Sequence, residues 1–138
     1  EEAYSAAREF GRLTRNLKGL DPGQLLPTLD HFHNLGHRWN QFQSALARAD
    51  EERKRQAHDA INRCNDFQWL VSEYRKRIES GDLVLRITHN DTKINNILFS
   101  SDTGNAACAI DLDTLMPGYF IYDLGDMIRT FVSPVNEE

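Results

Sequence analysis

The stretch from His89 to Asp113 constrains this chain more than any other. It reads HNDTKINNILF, then SSDTGN, then AACAIDLD. Ile97-Leu98-Phe99 and Ala106 to Ile110 have the aliphatic content of two short strands, and Ser100 to Asn105 between them is a turn-rich connection. Polar residues crowd the strand ends, where a scaffold can hold them rigidly in a loop. Asp91 and Asn96 stand five apart before the first strand, and Asp111 follows the strand that returns from the turn.

The rest of the chain has to build that scaffold. Ala3, Ala6, Phe10, Leu13 and Leu17 recur at spacings of three and four, which predicts an amphipathic helix stopped by Gly19 and Asp21-Pro22-Gly23. A second helix is expected from Leu35 to Ala49, with Leu35, Trp39, Phe42 and Leu46 on its buried side. Asp50 is placed to cap a third, whose apolar residues Ala57, Ile61, Cys64, Phe67, Val71, Tyr74 and Ile78 keep helical spacing as far as Ser80-Gly81. Unbroken, that helix would run for about 40 Å and form the spine of a lobe. Trp39 and Trp69 fall in apolar stripes and read as core, whereas EERKRQ reads as a solvated face. Leu83 to Thr88 reads as another strand and Met116-Pro117-Gly118 as a break. Ile121 to Phe131 reads as a final helix with Leu124, Ile128 and Phe131 on one side. The expected class is α+β, with helices over residues 1–82 and a small β element with polar loops over 83–138.

Composition excludes several functions. The 138 residues are 40% hydrophobic and 27% charged, within the globular range. Sixteen Lys and Arg against 21 Asp and Glu give a net charge of −5, which argues against a broad nucleic-acid surface. The uncharged apolar runs fall far short of the ~20 residues of a membrane helix. Cys64 and Cys108 lie far apart and outside any CxxC pattern, so reduced cytosolic thiols are expected rather than a zinc site or disulfide scaffold. The chain opens on Glu1-Glu2, with neither an initiator Met nor a signal peptide's apolar stretch, and a trimmed or partial product is expected.

The order His-x-Asp-x-x-x-x-Asn, strand, turn, strand, Asp is that of a kinase catalytic loop followed by its metal-binding Asp. Through HNDTKINNILF and IDLDTLMPGYFIYDLGD the chain resembles the aminoglycoside phosphotransferase and choline kinase superfamily, which shares the protein-kinase-like fold. Within it the motifs look most like those of N-acetylhexosamine 1-kinases, which phosphorylate the anomeric hydroxyl of N-acetylglucosamine or N-acetylgalactosamine with ATP. The resemblance implies the mostly helical carboxy-terminal lobe of that fold, with a small β hairpin carrying the catalytic and metal loops.

It also implies roles. An alcohol attacking a γ-phosphoryl group must lose its proton, and Asp91 is the implied base. Asn96 and Asp111 would offer oxygens to Mg²⁺ and so tie it to the phosphates of ATP, as suits a small hard cation. Lys93 is either a phosphate contact or an exposed loop cation, and Asp113 either a further metal carboxylate or a supporting one. His89 would brace the catalytic loop, and Asp123 would accept backbone N–H bonds from it. Asn90 and Asn95 read as loop formers that tolerate unusual backbone angles. Arg129 could pair with Asp126 at i, i+3 or reach the substrate; His31, His33 and Arg38 could border a sugar pocket or serve the loop and surface alone.

A kinase of this fold also needs an amino-terminal lobe with a phosphate-covering loop and a nucleotide Lys. The eight glycines form no GxGxxG or Walker A pattern, and no strand precedes the first helix. The expectation is the central part of a cytoplasmic ATP-dependent small-molecule kinase, partnered by a missing amino-terminal lobe of the same polypeptide and inactive as an isolated piece. An uncharged N-acetylated sugar is the expected acceptor, with no nucleic-acid or membrane partner. The alternatives are a kinase of choline, ethanolamine, homoserine or an aminoglycoside, a noncatalytic binding module on the kinase fold, and a metal-dependent phosphoesterase.

Overall fold

The computed structural model describes residues 1–133. Helix α1 spans Glu2–Leu17 and ends before a short 3-10 turn at Pro22–Gln24, where the Asp21 carboxylate accepts the Gly23 N–H at 2.9 Å. Four helices follow, α2 (Leu35–Arg48), α3 (Glu51–Gln56), α4 (His58–Asp66) and α5 (Trp69–Glu79). Then come strands β1 (Leu85–Thr88), β2 (Ile97–Phe99), β3 (Ala106–Ala109) and β4 (Met116–Tyr119), and a last helix, α6 (Phe120–Phe131).

By packing, the chain forms two compact units, and the first is discontinuous in sequence: Glu1–Asp30 joins the chain from Val84 onward, and His31–Leu83 stands as the second. This grouping cuts across the division by helical and β content at residue 82, because α1 packs on β3. In the first unit β2 and β3 form the expected antiparallel hairpin, with Ile97 opposite Ala109 and an irregularity between Leu98 and Phe99. Ser5 of α1 accepts the Ala106 N–H on its hydroxyl at 2.8 Å, tying helix to hairpin. Ala6, Phe10, Ile97 and Met127 are the buried core, with Ile94, Phe99, Ala106, Ala109 and Phe131 packed against it. The hairpin is thus held between α1 and α6.

One expectation for this unit is corrected. Met116-Pro117-Gly118 is not a break but most of β4, antiparallel to β1 with Thr88 opposite Met116 and Arg86 opposite Gly118. Pro117 lacks an N–H, which a strand with one neighbour can spare. On α6, Leu124 and Ile128 are exposed, Phe131 is half-buried against the core, and Asp123 and Met127 are buried.

In the second unit Asn34 caps α2 by accepting the His37 N–H at 2.9 Å, and Asp50 caps α3 by accepting the Arg53 N–H at 2.8 Å, the cap its sequence position predicts. The single long helix is corrected to three. Ala57 (φ −97°, ψ 10°) and Phe67 (φ −99°, ψ 8°) leave helical geometry, and around Phe67 the bonds tighten to i→i−3, as in Phe67 N–H to Cys64 O and Gln68 N–H to Asn65 O. No Gly or Pro marks either joint, and the apolar spacing runs through both, so periodicity could not show them. Trp69, expected in the core, is 57% exposed at the start of α5, whereas Trp39 is half-buried with its ring 5.3 Å from that of Phe42. Gly81 (φ +77°) ends the helical run, as its sequence predicts. Among the described residues no helix is long and apolar enough to cross a membrane, and Cys64 and Cys108 are both exposed free thiols.

Candidate active site

The loop after β1 is held from below by α6. The Asp123 carboxylate, buried in the first turn of α6, accepts the His89 N–H on Oδ2 at 3.1 Å and the Asn90 N–H on Oδ1 at 2.7 Å. Thr92, fully buried, donates its hydroxyl to the Asp123 carbonyl at 2.7 Å. Asn90 sits at φ +66°, and its amide nitrogen donates to Thr88 O and Thr114 O at 3.0 Å each, so the left-handed turn is locked by its own side chain.

His89 is equally committed. Its Nε2 lies 2.9 Å from Ile110 O, which makes that nitrogen the protonated one, and Nδ1 accepts the Asp91 N–H at 3.3 Å. The ring is buried and meets Phe10 of α1 edge-on at 5.3 Å. With both nitrogens spent on backbone groups, His89 shapes the loop.

Asp91 emerges from this frame half-buried. Its Oδ2 accepts from Lys93 Nζ at 2.8 Å and from Asn96 Nδ2 at 2.9 Å, and the same Asn96 nitrogen donates to Asp91 O at 2.8 Å. Burial opposes ionisation of Asp91, but the hydrogen bonds from Lys93 and Asn96, with the attraction of Lys93, outweigh it and hold the carboxyl below its usual range. Reciprocally, the hydrogen bond to Asp91 raises Lys93, helped by the charges of Asp91, Asp111 and Asp126 against the cost of burial. Both groups are therefore ionised at neutral pH.

Asn96 closes a 3-10 turn (Ile94–Asn96) and accepts the Ile110 N–H on its carbonyl at 2.9 Å, so the end of β3 is fastened beside it. Asp111 follows immediately, at φ 60° and ψ 61°, and opens another 3-10 turn, Leu112–Thr114. A left-handed non-glycine residue persists only where its surroundings fix it. Its carboxyl is exposed and titrates above the usual range, chiefly through the hydrogen bond with Asp113 and the repulsion between the two carboxylates. Asp91, Asp111 and Asp126 all act electrostatically on Lys93, and Asp91 acts on Asp111, so Asp91, Lys93 and Asp111 share one neighbourhood with Asn96 and Asp113. Among the described residues no three His, Cys, Asp or Glu side chains converge as a metal cluster.

Arg129 donates to Asp126 at 2.7 Å, the i, i+3 pair its position predicts. His33 and Arg38 belong to the second unit, where Arg38 gives Nε and one terminal nitrogen to Phe32 O and the other to Gln41, and His33 stacks at an angle on Phe32. Asn95 is exposed in its turn with an ordinary φ, unlike Asn90; among the described residues the left-handed positions besides Asn90 and Asp111 are His31, Gly81 and Gly104.

Three residues that serve the loop escape a motif reading. Thr92 anchors it to α6, and Thr114 donates its hydroxyl to His89 O at 2.7 Å. Gly118 faces it across β1: a Cβ there would collide with Thr88 Oγ1 and come within 2.9 Å of Asn90 Oδ1. Its signal was present, since a glycine inside a strand marks a close backbone approach, but only with the strand itself recognised.

The arrangement is a buried, hydrogen-bonded loop presenting one ionised carboxylate against a cation, beside a second acidic loop. The phosphotransferase enzyme family matches residues 1–138, the whole chain, and the chain belongs to that family.

Proposed function

We propose that this chain supplies the acceptor-activating and metal-holding side of an ATP-dependent small-molecule kinase, acting on the anomeric hydroxyl of an N-acetylhexosamine. The observation that carries the kinase reading is Asp91, held in its ionised form by Lys93 and Asn96 through one oxygen, Oδ2. Oδ1 is left to take a proton from an acceptor hydroxyl. Lys93 has three donors and needs one for Asp91, so it can also meet charge on the transferred phosphoryl group.

The donor set suits Mg²⁺. Asn96 uses its amide nitrogen for both bonds to Asp91, which leaves the amide oxygen for a hard cation, and the Asp111–Asp113 repulsion is the kind a cation relieves. Asn96 and Asp111 would hold the ion, with Asp113 beside them. When bound it would neutralise phosphate charge. The chain's own contribution is to keep Asp91 charged, aimed and apart from the metal oxygens. The lobe that covers the nucleotide is proposed to lie in flanking sequence of the same polypeptide. The choice of an N-acetylhexosamine rests on the likeness of IDLDTLMPGYFIYDLGD to enzymes of that specificity.

The test is phosphorus NMR on the polypeptide at its natural length, given Mg-ATP and a panel of N-acetylhexosamines, plain sugars, choline, homoserine and aminoglycosides. The expected product is an anomeric sugar phosphate, lost by a factor of at least ~10² in Asp91→Asn, the scale of a positioned general base. Phosphorylation of another acceptor keeps the mechanism and replaces the substrate. An Asp91→Asn variant as active as wild type removes Asp91 as base.

A further inference from the structure

Besides the Ile110 N–H bond to Asn96 O, three hydrogen bonds from the His89–Asn90 turn and Thr114 join the loop carrying Asp91 to the loop carrying Asp111 and bracket Asp111 on both sides. Before it, His89 Nε2–H donates to Ile110 O at 2.9 Å. After it, Thr114 Oγ1–H donates to His89 O at 2.7 Å and Asn90 Nδ2–H donates to Thr114 O at 3.0 Å. Thr114 is buried, so neither bond is shared with bulk water. Between the brackets only Asp111 is left-handed. Its carboxylate is exposed, and no described side chain other than Asp113 is hydrogen-bonded to it. What orients Asp111 is therefore its backbone, and what holds the backbone on the carboxy-terminal side is Thr114.

We infer, resting on the kinase reading above, that Thr114 is a positioning residue. Its hydroxyl sets where the Asp111 carboxylate stands relative to Asp91 and Asn96, and so how tightly the site holds a divalent cation. Losing the hydroxyl leaves His89 O without its donor in a buried place, and the chain after Asp111 is then tied to the other loop only through the Asn90 bond to Thr114 O. Thr114 touches neither cation nor substrate itself.

Mn²⁺ is the probe, its free concentration followed by electron paramagnetic resonance in titrations of the full chain. Wild type, Thr114→Ser and Thr114→Val are compared, with thermal unfolding in parallel. Thr114→Val should bind Mn²⁺ about tenfold or more weakly, the scale of losing an outer partner of a metal ligand. Thr114→Ser should stay near wild type. If Thr114→Val does not fold, Thr114→Ala set against Thr114→Ser gives the same comparison, since that pair differs by one hydroxyl. Equal Mn²⁺ affinity with and without the hydroxyl overturns the inference and leaves the kinase reading standing. Weak binding by Thr114→Ser assigns the effect to packing and overturns it too, as does failure of both Val and Ala variants to fold. A wild-type chain that binds no Mn²⁺ overturns the metal site and this inference with it.

Discussion

At the scale of single residues the site is an argument about two carboxyls shifted in opposite directions. Asp91 is held below the usual range and Asp111 is pushed above it. Asp91 therefore adds stability above about pH 3.9, the ordinary Asp value, and this is lost as the pH falls through its lowered value. Asp111 has the opposite sign: its contribution is present below about pH 3.9 and is lost as the pH rises through its raised value. Carbon-13 NMR titration of the Asp carboxyls checks both. Lys93→Met should bring Asp91 up towards the ordinary range, and Asp113→Asn should bring Asp111 down. An Asp91 titration that ignores the loss of Lys93 would mean that the 2.8 Å pair does not exist in solution. That Asp91, Lys93, Asn96 and Asp111 would come together was legible in the chain, because their order around the hairpin is that of the family motif. Their directions of shift were not, since each depends on which neighbour reaches which oxygen.

At the scale of elements the decisive piece is β4. Read as Met-Pro-Gly it announces a turn, yet it pairs with β1 and places Gly118 where Thr88 and Asn90 need space. Gly118→Ala should cost about 1–3 kcal/mol in urea unfolding, as overpacking of a tight contact does. No loss would mean that the loop has room that the structure denies. The helices divide in the same way. The caps at Asp50 and Asn34 and the stop at Gly81 follow from local chemistry: a side-chain oxygen meets a free N–H, and glycine accepts a positive φ. The joints at Ala57 and Phe67 do not, because nothing in those residue types forbids a helix from continuing.

At the scale of the molecule, Phe10 connects the fold to the site. It is 2% exposed, belongs to the core shared by α1, the hairpin and α6, and meets the His89 ring edge-on. Phe10→Ala should destabilise the protein by about 3–5 kcal/mol. The loss should also show as faster amide exchange at Asp91, whose N–H is bonded to that ring. A variant that lost the stability but kept the protection of Asp91 would separate the core from the loop. The sequence by itself determined the α+β class, the hairpin, the family motifs and the helix stop at Gly81, because each rests on residues within a few positions of one another. Tertiary structure alone decided that α1 packs with strands some ninety residues away and that Thr92, Thr114 and Gly118 shape the loop, whereas the Asp123 bonds to it are those the resemblance implied. Those contacts join residues 25 to 101 positions apart, and a hydrogen bond or a steric limit across such a separation leaves no periodicity in the chain to read.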